Sequence, residues 1–390
     1  LAEHVMEEPM GAMALKVLGP ALLTVSVMGV FRGYFQGLGT MMPTAVSQIL
    51  EQIFVLIGSI AGTYVLYNYG SKVGALFHNE DYAPAYGAAG ASIGPVLGSV
   101  VGLAFLVFVY ILYRKGNRKR SSRDMNGRVD GYPQIFKLII LTIIPVLLSS
   151  TVYNISDVID TSIFGKVMVA KGLGDVKTDI WGVYTGKYKV LVNVPIALAN
   201  AMCASIVPVL TKLMVREEYG RAKERIGQAM RFTMIVAFPS AVGLAVLARP
   251  IISMLFKGEV DMAVNMLHVG SVSVVFFAIS TLTNGVLQGI NRMKVPVRNA
   301  AISLVIHIVF LYVTLQLGMG INAVIYANIL FAAIVCVLNA MAIRKYLRYD
   351  QELIRTFVIP AIASVVMGIV IGLLNMLLSK TAGNVVTVFV

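Results

Sequence analysis

The chain has 390 residues, of which 58% are hydrophobic and 13% charged, and it carries a formal net charge of +13. Its mean hydropathy is +0.81. A soluble domain of this length needs more charge to cover its surface, so a water-soluble globular fold is excluded. A charge of this sign suggests nucleic acid in a soluble protein. Here the basic residues fall in short loops between long apolar blocks, where membrane topology accounts for them and nucleic-acid binding does not.

Taken in order, the apolar blocks predict membrane-spanning helices over roughly 12–31, 44–67, 87–112, 134–160, 181–211, 231–255, 263–288, 297–317, 321–343 and 355–378, with another beginning near 382. About 20 residues cross the hydrocarbon core, so these lengths suffice with some tilt. Strand-type alternation is missing, which argues against a lipid-facing barrel. The expected fold class is an all-α polytopic membrane protein.

Orientation follows from Lys and Arg. The loop after the third span reads Arg114-Lys115-Gly116-Asn117-Arg118-Lys119-Arg120. Further basic loops hold Lys212 to Arg231, Arg292 to Arg298, and Arg344 to Arg355. By simple alternation all four lie on one side, which is therefore cytoplasmic.

An internal repeat organises the chain. Gly33, Gln36, Gly37 and Met41 are matched by Gly285, Gln288, Gly289 and Met293, each 252 positions later, and Pro43 by Pro296, one residue out of step. Both copies leave one span, enter the next and face the cytoplasm. That is the pattern of a parallel six-helix repeat, an arrangement found in transporters. The repeat predicts the remainder of an N-lobe over 1–112, a basic linker over 113–133, a C-lobe over 134–345 and extra helices over 346–390. By the same symmetry the first span is the fourth helix of its lobe, so the chain reads as a fragment with three helices expected upstream.

The segment Arg32-Gly33-Tyr34-Phe35-Gln36-Gly37, followed by Met42-Pro43-Thr44-Ala45-Val46-Ser47-Gln48 and Glu51-Gln52, resembles the polysaccharide-exporter branch of the MOP superfamily. Within it the SpoVB/YtgP-type proteins are most similar; they are relatives of the lipid II flippase MurJ and, more distantly, of the MATE drug exporters. Gly90-Ala91-Ser92-Ile93-Gly94 and the stretch from Val192-Asn193-Val194-Pro195 to Ser205-Ile206-Val207-Pro208 extend the likeness. The resemblance implies a MATE/MurJ-like bundle of two six-helix lobes around a cavity, plus two extra helices. It also implies flipping of an undecaprenyl-linked saccharide across a bacterial cytoplasmic membrane by alternating access. The partners are then the lipid-linked oligosaccharide and membrane lipids. Two alternatives stay open: a MATE-like drug/cation antiporter, and a non-transporting partner of cell-wall synthesis proteins.

A charged side chain within a span is costly and faces a cavity or a partner. A pyrophosphate head group would need cations, and Lys187, Lys189 and Lys16 are the candidates, together with Arg32 and Gln36 from the repeat segment. For each lysine, snorkelling to the interface is the plainer reading. Glu51 is a candidate coupling carboxylate or a packing residue near the interface. Asn154, Asp157 and Asp160, three residues apart in the fourth span, read as a polar stripe that could take up a cation or proton; a solvated helix end is the alternative. Arg249 reads as an interfacial anchor. His307, alone on an apolar span, reads more simply as a packed ring than as a titrating switch. Gly90, Gly94, Gly98 and Gly102, every fourth residue, form a small-residue ridge for close helix approach.

Cys203 and Cys336 lie in apolar blocks, and no Cys/His cluster exists, so neither a disulfide framework, a metal site nor a cofactor is expected. No Walker A run, H-E-x-x-H or G-x-S-x-G is present, which argues against an ATP motor and against an enzyme.

Overall fold

The computed structural model describes residues 10–121 and 131–378. The expected start of a span near 382 and residues 122–130 of the expected linker lie outside them. Every described element is helical. Eight helices are long and apolar enough to cross a membrane, or nine when one bent pair counts as a single span. The chain divides into two compact units, Leu1–Asp130 and Gly131–Val390.

The N-terminal unit contains α1 (Gly11–Gly37), α2 (Met42–Phe77), α3 (Tyr82–Ala91) and α4 (Ile93–Ser121). Its core is small: Met28, Phe35 and Leu106, rimmed by Phe31, Tyr34 and Tyr110. Large apolar side chains such as Leu22 and Leu23 are about three-quarters exposed (73% and 75%), which is tolerable only in lipid. The glycine ridge decides how α2 meets α3 and α4. A Cβ on Gly90 would strike the Gly62 backbone, one on Gly94 the Val55 carbonyl and Ser59, and one on Gly98 the Glu51 carbonyl at 2.7 Å. The two backbones therefore touch along the whole seam, as small residues permit.

In the C-terminal unit, α5 (Tyr132–Ala170) is followed by α6 (Gly174–Val183), a π-helical turn (Tyr184–Tyr188) and α7 (Lys189–Val215). Next come α8 (Tyr219–Val246), α9 (Ala248–Leu255), α10 (Val260–Gly270), α11 (Ser273–Gly289), α12 (Lys294–Gln316) and α13 (Ile321–Leu347). A second π-helical turn (Ile354–Val358) leads into α14 (Ile359–Leu378). α13 is the most buried helix: Val324, Ala327, Phe331, Val335 and Asn339 recur at helical spacing inside the core.

Two expected spans are broken. The span expected over 231–255 ends at Val246, and α9 starts anew, because Pro250 has no N–H to offer the Val246 carbonyl. The span expected over 263–288 bends by 52° between α10 and α11.

The two repeat segments end their helices with the same backbone bonds, a pattern also found at the ends of α5, α7 and α12. After α1, Leu38, Gly39 and Thr40 donate to the carbonyls of Tyr34, Gln36 and Phe35; after α11, Ile290, Asn291 and Arg292 donate to Val286, Gln288 and Leu287. Each bond has its counterpart 252 positions later. Gly39 (φ +80°) and Asn291 (φ +60°) both take the left-handed conformation that ends a helix this way. The surroundings differ. Gly285 and Gly289 seat on Cys203 and Leu210 of α7, whereas nothing lies within 4 Å of a Cβ on Gly33 or Gly37.

Candidate functional site

Residues three apart in an α-helix drift by about 60° per step. The stripe Asn154, Asp157, Asp160 therefore cannot keep to one face of α5, and the structure divides it. Asn154 and Asp157 are exposed and line a cavity of about 390 Å³ within the C-terminal unit. Asp160 turns inward and is 1% exposed.

The opposite wall of that cavity is α7 with its preceding π-helical turn. Lys189, Asn193, Ile196 and Asn200 lie at i, i+4, i+7 and i+11, on one helical face, and all line the cavity. The π-helical turn stacks the Tyr184 and Tyr188 rings at 5.4 Å. Such turns are frequent at functional positions. Lys189 Nζ donates to Asp157 Oδ1 at 2.6 Å and lies 5.8 Å from the Tyr184 ring centre. Thr281 of α11 and Asn328 of α13 also line the cavity. The Ser156 hydroxyl on its wall is buried and has no hydrogen-bond partner in the protein. The arrangement offers hydroxyl and amide groups, one cation and one anion above an apolar floor, which suits a polar head group rich in hydroxyls and phosphate.

Behind this wall Asp160 is fully engaged. Its Oδ1 meets His307 Nε2 of α12 at 2.6 Å, and its Oδ2 accepts from Asn328 Nδ2 at 2.9 Å. Asn328 in turn lies 3.3 Å from the Tyr184 hydroxyl. The cluster thus ties α5, α12 and α13 to the cavity wall. His307 is packed as well as hydrogen-bonded: it is 0% exposed and meets the Phe331 ring edge-on.

The two lysines part company. Lys187 donates to the carbonyls of Lys257, Gly258 and Glu259, closing the turn where Gly258 and Glu259 adopt positive φ. Only Lys189 reaches the cavity. Lys16 is exposed on α1. Arg249 is exposed and bonds Asp261 at 2.6 Å.

In the N-terminal unit, Arg32 and Glu51 join the two halves of the repeat segment. Arg32 Nη2 meets Glu51 Oε2 at 2.6 Å, and Arg32 Nε donates to Ser47 at 3.1 Å. Gln36 is exposed, and its carbonyl accepts from Gly39. In the C-terminal unit, Asn284 of α11 and Asn299 of α12 belong to an amide cluster. They are bridged by Asn339 of α13, which donates to Asn284 and Thr283 and accepts from Asn299. Polar bonds thus join α1 to α2 in one unit and α11, α12 and α13 in the other.

Sequence reasoning missed Asn200, Thr281, Asn328, Tyr184 and Tyr188. The i, i+4, i+11 recurrence of Lys189, Asn193 and Asn200 was the available signal. Among the described residues, no group of three or more His, Cys, Asp or Glu side chains is placed to hold a metal ion.

The profile of a family described as "Lipid II flippase MurJ" matches residues 4–390. The Lipid II flippase MurJ of Bacillus subtilis (strain 168) is 26% identical over 372 residues, covering 93% of this chain and 66% of that protein. Stage V sporulation protein B of the same organism is 24% identical over 353 residues, covering 89% and 64%. The chain thus spans about two thirds of the length of these curated relatives. Among solved structures, "Lipid II flippase MurJ, inward closed conformation" aligns with a TM-score of 0.60 at 16% identity, over 92% of this chain and 67% of that one. An inward-facing MATE multidrug transporter of the MOP superfamily aligns at 0.61 and 17% identity, over 86% and 71%. At these identities the structural likeness concerns the fold alone.

Proposed function

Since the chain belongs to the lipid II flippase MurJ family, we propose that the protein containing it flips an undecaprenyl-linked saccharide across the membrane, lipid II or another cell-envelope precursor. It is a multi-pass protein of the bacterial cytoplasmic membrane, of a transporter family rather than an enzyme family. The observation that carries the reading is the family match over nearly the whole chain; the cavity of the C-terminal unit supports it. In this reading Lys189 and Ser156 contact the phosphate or sugar, while Asn193, Asn200 and Thr281 hydrogen-bond the saccharide. The polyprenyl chain stays in lipid.

Coupling is assigned to Asp160. Both its oxygens are occupied by His307 and Asn328, so any cation or proton taken up there must displace or protonate one of these contacts. That change would reach the cavity through Asn328 and Tyr184, a route by which an ion could bias one conformation over another. The division at Asp130/Gly131 is compatible with the two-lobe organisation, which is part of the same proposal.

The test is translocation of a fluorescent lipid-linked oligosaccharide by the full-length protein in proteoliposomes, with ion gradients and membrane potential varied. Gradient-dependent movement that falls in Lys189→Met and Asp160→Asn supports the reading. No movement, with export of an organic cation instead, would overturn it in favour of a drug antiporter.

A further inference from the structure

Where α13 ends in its basic turn, the chain reverses through Arg348 (φ +48°) and crosses back to the second π-helical turn. The crossing covers a second cavity, of about 260 Å³, separate from the one above. Its walls are apolar, with Met230 of α8, Ile279 of α11, Ile343 of α13, and Phe357. Val337 and Leu353, also on its wall, are 59% and 65% exposed, so the cavity opens on the lipid-facing surface. The ten helical steps from Val337 to Leu347 span about 15 Å, half the hydrocarbon thickness. A pocket enclosing a drug-sized ligand holds about 300–1,000 Å³. This cavity is smaller and open-sided, suited to part of a chain whose remainder lies in the bilayer.

Its polar rim is unusual. The Tyr349 hydroxyl, Gln351 Nε2 and Arg231 Nε are each shielded from water and have no hydrogen-bond partner in the protein. A buried donor left without an acceptor is costly, and native structures contain few. Tyr349 and Gln351 both line the cavity, and Tyr349 is close enough to Arg231 and Glu352 to feel their charges. Burial, the largest influence, pushes the Tyr349 phenol up, so it remains a donor at neutral pH. The two acids at the corner are already engaged: Glu352 with Arg231 at 3.1 Å and Asp350 with Arg344 at 3.2 Å. Arg231, Arg344, Lys345, Arg348 and Arg355 leave the neighbourhood cationic. Unmet donors in a cationic setting suit an anion with several acceptor oxygens. The apolar cavity beside them suits a hydrocarbon chain attached to it.

We propose that this corner binds an anionic phospholipid of the cytoplasmic leaflet, its phosphate accepting from Tyr349, Gln351 and Arg231 while one acyl chain enters the cavity under Leu353. The site is independent of the transported substrate and stands or falls apart from the flippase reading.

The full-length protein, purified in detergent, would be titrated with phosphatidylglycerol and separately with phosphatidylcholine, and bound lipid counted by native mass spectrometry. The wild type should retain phosphatidylglycerol in preference. Tyr349→Phe/Gln351→Leu should weaken that retention about tenfold, the equivalent of roughly 1.4 kcal/mol, with unchanged thermal unfolding. Gln351→Leu alone, on the crossing segment, supplies the readout if the double variant does not fold. Ala340→Phe, which fills the cavity, should also reduce retention. Equal retention of both lipids by the wild type would overturn the proposal. So would undiminished phosphatidylglycerol binding in the Gln351 variants, or displacement of the lipid by inorganic phosphate alone.

Discussion

Asp160 and His307, 147 positions apart in the chain, meet at 2.6 Å with side chains 1% and 0% exposed. The bond forms either with the ring N–H donating to the carboxylate or with a carboxyl donating to the ring nitrogen. Removing one partner leaves a buried polar or charged group unmatched; removing both need not.

His307→Leu should therefore destabilise the C-terminal unit by about 3 kcal/mol. Asp160→Asn, which keeps a group able to bond His307 and Asn328, should cost less. Asp160→Leu/His307→Leu should recover much of the lost stability while leaving transport uncoupled from the gradient. Thermal unfolding measured beside gradient-dependent flipping checks this. A double variant that regains coupled transport together with stability would remove Asp160 from the coupling role.

Lys187 and Lys189 should behave differently. Lys189→Met should lower transport at limiting substrate with little change in unfolding temperature, because Asp157, its ion-pair partner, is 56% exposed. Lys187→Met removes the donor that holds the 257–259 turn. It should lower the unfolding temperature and leave transport per folded molecule near wild type. Concentration-dependent transport assays on the two variants, normalised to folded protein, decide it.

The Arg32–Glu51 pair, with both side chains 18% exposed, should show real coupling. A double-mutant cycle with Arg32→Gln and Glu51→Gln is expected to give about 2 kcal/mol. The same cycle on the exposed Arg221–Glu218 pair should give about 0.5 kcal/mol or less. Similar values for the two cycles would make the first pair incidental.

At the helix seam, Gly90→Ala should be strongly destabilising, since its Cβ would meet the Gly62 backbone and Thr63 N at 2.8 Å, and backbone cannot swing aside. Gly243→Ala, with nothing within 4 Å, should be neutral or stabilising by up to about 1 kcal/mol. Unfolding temperatures of the two variants provide the comparison.

The sequence by itself determined the membrane class and the approximate position of most of the helices. Those features follow from composition and local periodicity, which the bilayer reads one segment at a time. Gly33-Gln36-Gly37 and Gly285-Gln288-Gly289 end their helices with the same backbone bonds, which local turn geometry also gives at the ends of α5, α7 and α12. The glycine ridge was legible for the same reason, as only small residues let backbones touch. Pairing across the bundle was not legible. Nothing in the one-dimensional pattern says that His307 meets Asp160, that Lys187 serves a distant turn while Lys189 lines a cavity, or that Asn339 bridges Asn284 and Asn299. Those outcomes depend on rotations of 100° per residue accumulated along each helix, on the π-helical turn before α7 that sets the facing of everything after it, and on which helix packs beside which. Only the tertiary structure decides them.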